Sequence, residues 1–235
     1  MFNPSVLAFR PVRFAGWLAA ACACAGVLCA GVSAPARAQE IARLYAPQPP
    51  AGSSYVRVVN PAAHSAEVEF AGARDTLDPA RRIVTDYRVV NAAAGVAIKV
   101  NGRALPPFKV QPGSFNTVVL DDGAPAQLIA DTTDGRDDLK AELRFYNVTR
   151  DCDATLAVDH GPEVFAHVPA GASRKRVINP VQARVAGRCG AASTAAVALP
   201  ALRSGDRASV FLVGAGSALR VVAQLDGTAP YHAVQ

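Results

Sequence analysis

The chain has 235 residues, with 24 lysines and arginines against 19 acidic residues, and 51% of its residues are hydrophobic. This length suits one large or two small domains. The first 38 residues hold three arginines and no acidic residue, so the remainder carries 21 basic against 19 acidic residues. Such a nearly neutral chain gives nucleic-acid binding no support, because that function normally needs a strongly basic surface.

Residues 1–38 have the pattern of a secretory signal peptide. Two arginines precede an uncharged apolar stretch, Phe14–Val32, and the small-residue motif Ala36–Ala38 follows it. We therefore predict cleavage after this motif and a mature chain that begins at Gln39. Cysteines within the apolar stretch leave a lipoprotein as the alternative, although none has the usual lipoprotein motif. No later apolar run reaches the length of a membrane span, so the mature protein is expected to be soluble.

Short runs of alternating or β-branched residues follow in the mature chain. They cover Tyr55–Val59, Ala66–Phe70, Val96–Val100 and Asn116–Leu120, and clusters of Pro, Gly, Asn and Asp separate them. This spacing is typical of a β-sandwich rather than of alternating strands and helices. Asn101–Gly102, between two apolar runs, predicts a hairpin turn because both residues tolerate positive φ.

The second half of the chain repeats features of the first. Val56–Asn60 has the sequence VRVVN and Leu143–Asn147 has LRFYN, so each is an apolar strand with one arginine that ends at asparagine. We predict an all-β protein of two small immunoglobulin-like β-sandwich domains in tandem, at 39–131 and 139–235, joined by a polar linker at 132–138. Duplication of one domain explains the repeat, and chance similarity between two β-sandwiches is the alternative.

Only two cysteines, Cys152 and Cys189, remain after the predicted cleavage. In an oxidising compartment two cysteines are most simply one disulfide. Closing the loop between them would stabilise the fold by about 4 kcal/mol in the chain-entropy description. Two reduced and buried thiols are the alternative.

The candidate nucleophiles and metal ligands form no recognisable catalytic or metal motif. Gly214–Ala218 (GAGSA) differs from the G-x-S-x-G nucleophile elbow and lies between two predicted strands. His160 and His167 have no third ligand nearby in the sequence, unlike a standard zinc site. We therefore predict no catalytic residue, no cofactor and no metal. The alternative, an acetyltransferase or esterase, would have to assemble distant residues such as Ser114, Asp159 and His160.

Two clusters of basic residues are candidates for a surface that binds a partner protein or an anionic polysaccharide. They are Arg81, Arg82 and Arg88 in the first half and Arg174, Lys175 and Arg176 in the second. Each cluster has the charge to attract a carboxylated polymer. The alternative is a solvated strand edge, where charges discourage pairing with another sheet. We expect no platform of exposed aromatic rings, because the mature chain lacks Trp and its other aromatic residues suit the core.

The start of the mature chain resembles a known family. Leu44–Pro47 (LYAP) followed by Pro50–Asn60 (PAGSSYVRVVN) is similar to the opening of the mature alginate O-acetylation proteins of the AlgF family. Val110–Val119 and Ile178–Val181 also look similar to stretches of that family. The resemblance extends over most of the mature chain.

This resemblance implies a periplasmic accessory protein without catalytic residues of its own. Its expected partners are a membrane-bound O-acetyltransferase and periplasmic acetyltransferases, which together acetylate an exopolysaccharide. Alginate is the expected polymer, and cellulose is the alternative, since related accessory proteins accompany acetylated cellulose synthesis. A two-domain chaperone of the pilus-assembly type is a further alternative, because two sandwich domains also suit donor-strand pairing. Tyr87–Val90, however, is a short strand for that task.

Overall fold

The computed structural model describes residues 48–135 and 137–231, and this part of the chain is almost entirely β-structure. The predicted signal peptide and its cleavage site lie outside the described residues. A single 3-10 turn, Gly216–Ala218, is the only helical element among them. In the described part of the chain, no helix is long and apolar enough to cross a membrane.

The first half of the described chain forms two four-stranded sheets. Its strands are β1 (Ser53–Val59), β2 (Ala66–Phe70), β3 (Ala73–Leu77), β4 (Arg88–Asn91), β5 (Lys99–Val100), β6 (Arg103–Ala104), β7 (Phe115–Val119) and β8 (Gln127–Asp131). One sheet has the order β4-β1-β7-β8 and the other the order β3-β2-β5-β6. β1 and β7 run parallel, whereas the other neighbours are antiparallel. Apolar side chains between the two sheets form the first core.

The second half has the same topology. Its strands are β9 (Ala141–Asn147), β10 (Ala154–Val158), β11 (Glu163–Val168), β12 (Ala172–Ile178), β13 (Arg184–Cys189), β14 (Ala192–Ser193), β15 (Val197–Ala198), β16 (Arg207–Val213) and β17 (Arg220–Leu225). The sheet orders are β12-β9-β16-β17 and β11-β10-β13-β14, with β15 beside β13. β9 and β16 run parallel, as β1 and β7 do. The prediction of an all-β chain of tandem sandwiches is confirmed.

The sheets β4-β1-β7-β8 and β12-β9-β16-β17, which we call the inner sheets, are buried on both faces. In β1, Val56 and Val58 point into the first core, so the alternation of side chains turns Arg57 and Val59 away from it. These outward positions meet their counterparts from the second half in a third core. It contains Val59, Ile83, Val84, Val119, Ile129, Tyr146, Phe211 and Val213. With this shared core, the described residues form one compact unit.

Residues 132–140 connect the strands of the first half to those of the second. β8 ends at Asp131 and β9 begins at Ala141, so residues 132–138 lie between the last strand of one sandwich and the first strand of the next. The domain boundaries themselves stay a prediction.

The hairpin turn is in place at Asn101–Gly102. β5 and β6 pair antiparallel on either side of it. Asn101 has φ of 49° and Gly102 has φ of 79°, in the left-handed region that this turn requires.

The predicted disulfide between Cys152 and Cys189 is confirmed, with the two Cα atoms 5.6 Å apart. It links the loop before β10 to the last residue of β13. Both cysteines pack against the core of the second sandwich, so the bond closes one end of that sandwich.

Candidate functional site

A polar cluster is buried between the two inner sheets, within the third core. At its centre is Arg57 on β1, whose side chain is only 1% exposed. Burying a guanidinium is costly unless partners satisfy both its charge and its N–H groups. The contacts of the surrounding side chains therefore determine whether this cluster stabilises the fold or could take part in catalysis.

The guanidinium of Arg57 donates hydrogen bonds from all three of its nitrogens. Nε donates to Thr117 Oγ1 at 3.0 Å, and Nη1 donates to Asp226 Oδ1 at 2.8 Å. Nη2 donates to the hydroxyls of Tyr146 at 2.7 Å and Ser209 at 2.9 Å. Three of these four partners belong to the second half, so one side chain ties the two sandwiches together.

Aromatic rings enclose the same guanidinium. Its central carbon lies 4.4 Å from the ring centre of Tyr87, 5.1 Å from that of Tyr146 and 5.2 Å from that of Phe211. The rings of Tyr146 and Phe211 stack at 4.7 Å. Such cation–π contacts stabilise a desolvated arginine and exclude water from its ion pair.

Arg144 occupies in β9 the position that Arg57 occupies in β1. Its Nη1 lies 3.7 Å from Asp131 Oδ1, and its Nη2 donates to Glu142 Oε1 at 2.9 Å. Each arginine is therefore paired with a carboxylate of the other half. We call Arg57–Asp226 and Arg144–Asp131 the crossed ion pairs.

The two aspartates also hold equivalent places in the fold. Asp131 is the strand partner of Phe115 at the start of β7, and the amide of Asp226 bonds to the carbonyl of Arg207 at the start of β16. The crossed ion pairs thus follow the repeat of the chain. Each half thus contributes one arginine and one aspartate, and each of these side chains faces the opposite charge of the other half.

Burial shifts the pKa values of the groups around Arg57. Desolvation raises the pKa of Tyr87 and Tyr146 well above the usual phenol value, despite the opposing charge of Arg57. Both phenols donate to Asp131, at 3.0 and 2.7 Å. Burial lowers the pKa of Arg57, but its neighbours outweigh this effect and hold it well above the usual value. The tyrosines and Arg57 therefore keep their protons near neutral pH, which suits a structural role better than proton transfer.

A cleft of about 210 Å³ lies beside this cluster. It is lined by Tyr87, Phe115, Gly205, Asp206, Arg207, Asp226, Gly227 and Thr228. The half-buried Tyr55 ring stacks on Phe115 at 4.4 Å, and the Arg207 guanidinium lies 5.6 Å from the Phe115 ring. Tyr55 and Phe115 are both partly exposed, although their strand positions predict core packing.

The hydroxyl and imidazole groups considered for catalysis lie apart or are already bonded. Ser114 Oγ donates to the Gln111 carbonyl at 2.6 Å and accepts from Asn116 Nδ2 at 2.8 Å. The side chain of His160 is 96% exposed, with Nε2 3.6 Å from Asp159 Oδ1. Among the described residues, Ser114 and His160 share no hydrogen bond. Within the same residues, no group of three or more His, Cys, Asp or Glu side chains is placed to hold a metal ion.

Most residues of the first predicted basic cluster form ion pairs with acids of their own sandwich. The Arg88 side chain is only 11% exposed, and its Nη2 lies 2.6 Å from Asp75 Oδ2. Arg82 Nη2 lies 2.9 Å from Asp86 Oδ1. Arg81 is exposed on the turn before β4. Two of these three arginines therefore have an acidic partner within the chain.

The second predicted basic cluster divides between two faces of β12. Lys175 is 17% exposed and lies 3.6 Å from Glu142 Oε2, on the face that carries Arg144. Arg174 and Arg176 are exposed on the other face. In the described part of the chain, neither has a side-chain hydrogen bond or an ion pair. Arg174 and Arg176 are therefore the exposed residues of this cluster, whereas Lys175 is half-buried beside an acid.

The chain is similar to known proteins over most of its length. The family model described as "Alginate O-acetyl transferase AlgF" matches residues 26–207. The chain belongs to the AlgF family. This match covers Arg57, Arg144 and Tyr146, whereas Asp226 lies beyond it.

Curated AlgF relatives from two Pseudomonas species are similar to the chain at low identity. The "Alginate biosynthesis protein AlgF" of Pseudomonas aeruginosa is 28% identical over 207 residues, which are 88% of this chain and 92% of that protein. The protein of the same name from Pseudomonas putida is 29% identical over 188 residues, or 77% of this chain and 82% of that protein. Both matches span most of each AlgF sequence.

A solved carbohydrate-binding module of family CBM26 from Eubacterium rectale, in complex with maltoheptaose, matches with 9% identity and a TM-score of 0.25. It covers 75% of this chain and 98% of the module. A similarity this distant carries no argument about the function of an AlgF protein.

Proposed function

We propose that the chain is a non-catalytic accessory protein of exopolysaccharide O-acetylation in the periplasm, and that alginate is the polymer. Membership in the AlgF family supports the pathway, because the family and its curated relatives are named for alginate O-acetylation or biosynthesis. In this proposal the chain works with a membrane-bound O-acetyltransferase and periplasmic acetyltransferases. Its contribution is to bind and position them.

The observation that best supports a non-catalytic role is that the polar groups buried around Arg57 are hydrogen-bonded to one another. Arg57 uses its donors on Thr117, Tyr146, Ser209 and Asp226, all within the contact between the sandwiches. Acyl transfer requires instead a nucleophile in contact with a base, next to hydrogen-bond donors for an oxyanion. The side chains around Arg57 hold two sheets together.

The way the sandwiches are joined fits a positioning role. The shared core and the crossed ion pairs hold two sandwiches in one unit, so surfaces on both halves keep a fixed geometry. A protein that brings two enzymes to one polymer benefits from such fixed spacing.

The proposal is tested by deleting the gene in its source organism and restoring it on a plasmid. Deletion should leave polymer secretion intact while the O-acetyl groups, measured by proton NMR of the purified polymer, are lost. The purified protein should hydrolyse a chromogenic acetyl ester no faster than the same protein after unfolding. Unchanged acetylation after deletion would contradict the pathway. Enzymatic turnover by the purified protein would contradict the non-catalytic role.

A further inference from the structure

The edge strand β12 carries two arginines on the face that points toward the core of the second sandwich, which we call the second core. Arg174 is the strand partner of Phe145 and Arg176 is the strand partner of Leu143, and both partners belong to that core. At the two ends of the same row, Ala172 and Ile178 pack against the core. The arginines are nevertheless exposed, because β12 is the edge of its sheet.

Arg88, on the edge strand β4 of the first sandwich, occupies the position that corresponds to Arg176. It is the strand partner of Val56 in β1, as Arg176 is of Leu143 in β9. Its Nη2 lies 2.6 Å from Asp75 Oδ2, and its Nη1 donates to the carbonyls of Phe70 and Ala73. The first sandwich therefore neutralises its edge arginine with an acid from β3.

The second sandwich does not provide that acid. Asp75 is the strand partner of Val68 in β2, and the corresponding pair in the second half is Leu156 with Phe165. A phenylalanine thus occupies the place of the aspartate. Glu163, the acidic residue of β11, is paired with Arg188 on β13. Arg174 and Arg176 therefore present two unneutralised charges at an open sheet edge.

We propose that the β12 edge is the docking site of an extended, acidic segment of a partner protein. Carboxylates of that segment take the place beside Arg176 that Asp75 takes beside Arg88. Residues two apart on a strand project from the same face about 7 Å apart, so acidic residues at alternate positions of the segment match Arg174 and Arg176. The unpaired backbone groups of an edge strand favour a polypeptide over a polysaccharide as the occupant. This inference rests on the proposed role in binding partner proteins.

The binding test uses the purified chain, labelled with 15N, and three probes. They are a ten-residue peptide with Glu alternating with Val and Thr, the same peptide with Gln for Glu, and a ten-residue oligouronate. The Glu peptide should shift amide signals of β12 and β9, and the Gln peptide should bind at least tenfold more weakly. Arg174→Ala with Arg176→Ala should also weaken Glu-peptide binding at least tenfold. Equal binding of both peptides, or shifts at β12 from the oligouronate alone, would overturn the proposal.

The cellular test separates this site from the proposed function. Arg174→Glu with Arg176→Glu should abolish polymer acetylation while the thermal melt of the protein stays unchanged. The matched control, Arg103→Glu with Lys109→Glu, makes the same change of charge at exposed positions of the first sandwich and should retain acetylation. If gene deletion abolishes acetylation and the β12 variant does not, the docking site is wrong and the proposed function stands. If deletion has no effect, the proposed function is itself wrong.

Discussion

Replacing Arg57 with methionine should destabilise the protein by about 3 kcal/mol. Removing one partner of a buried ion pair typically costs about 3–5 kcal/mol, because the other charge stays buried. The lower end applies here because the hydroxyl of Tyr146 still donates to Asp131 and that of Ser209 to Asp226. Most of the lost stability therefore comes from the carboxylate of Asp226, which stays buried without its ion-pair partner. The midpoint of thermal unfolding should fall by roughly 6–12 °C for a chain of this size.

A double-mutant cycle makes this expectation specific to the ion pair. Arg57→Met, Asp226→Asn and the double variant are unfolded in urea and followed by circular dichroism. The two changes should be non-additive by about 1–3 kcal/mol, because each removes the same interaction. Arg74→Met is the control, since Arg74 pairs with Glu67 and Glu69 at the surface, where such pairs contribute about 0–1 kcal/mol. A loss below about 1 kcal/mol for Arg57→Met, or strict additivity, would refute a structural role for the crossed ion pair.

Three further predictions concern covalent linkage, pH and packing. Cys152→Ser or Cys189→Ser should lower the free energy of unfolding by about 2–5 kcal/mol in urea, and native alkylation of both thiols would contradict the disulfide. Because the pKa values of Tyr87 and Tyr146 are raised in the folded state, stability should be lost as pH rises above about 10. The loss should approach about 1.4 kcal/mol per pH unit for each tyrosine, and Tyr→Phe variants should reduce this slope. Gly187→Ala should lower the melting temperature, because a Cβ there would lie 2.5 Å from a leucine methyl of β16, and an unchanged melt would contradict this packing.

Several strands and the repeat were accessible from the sequence because each depends on local pattern, although the run Val96–Val100 forms a strand only at Lys99–Val100. Alternating residues located β2 at Ala66–Phe70, and Asn101–Gly102 located a hairpin turn. The VRVVN segment covers the last four residues of β1 and Asn60, and LRFYN is the last five residues of β9, at the same place in two sheets of the same topology. Local backbone preferences and the period of two are enough for such predictions.

The partners of the arginines within those repeated strands could not be predicted from local pattern. Both segments place an arginine among apolar residues, and this repeated position was the only signal that Arg57 and Arg144 share a role. The partner of Arg57, Asp226, is 169 positions away, and no local pattern specifies that contact. For the same reason, the sequence did not distinguish Arg88, which is paired with Asp75, from the exposed Arg176.

A non-catalytic accessory protein needs no hydroxyl or imidazole of its own for acetylation. The most direct test is a chromosomal triple variant, Ser114→Ala with His160→Ala and Ser217→Ala, that retains the thermal melt of the unmodified protein. The measurement is the number of O-acetyl groups per sugar residue in the secreted polymer, by proton NMR. We expect the same acetyl content as with the unmodified chain. Loss of acetylation by this folded variant would contradict a non-catalytic role.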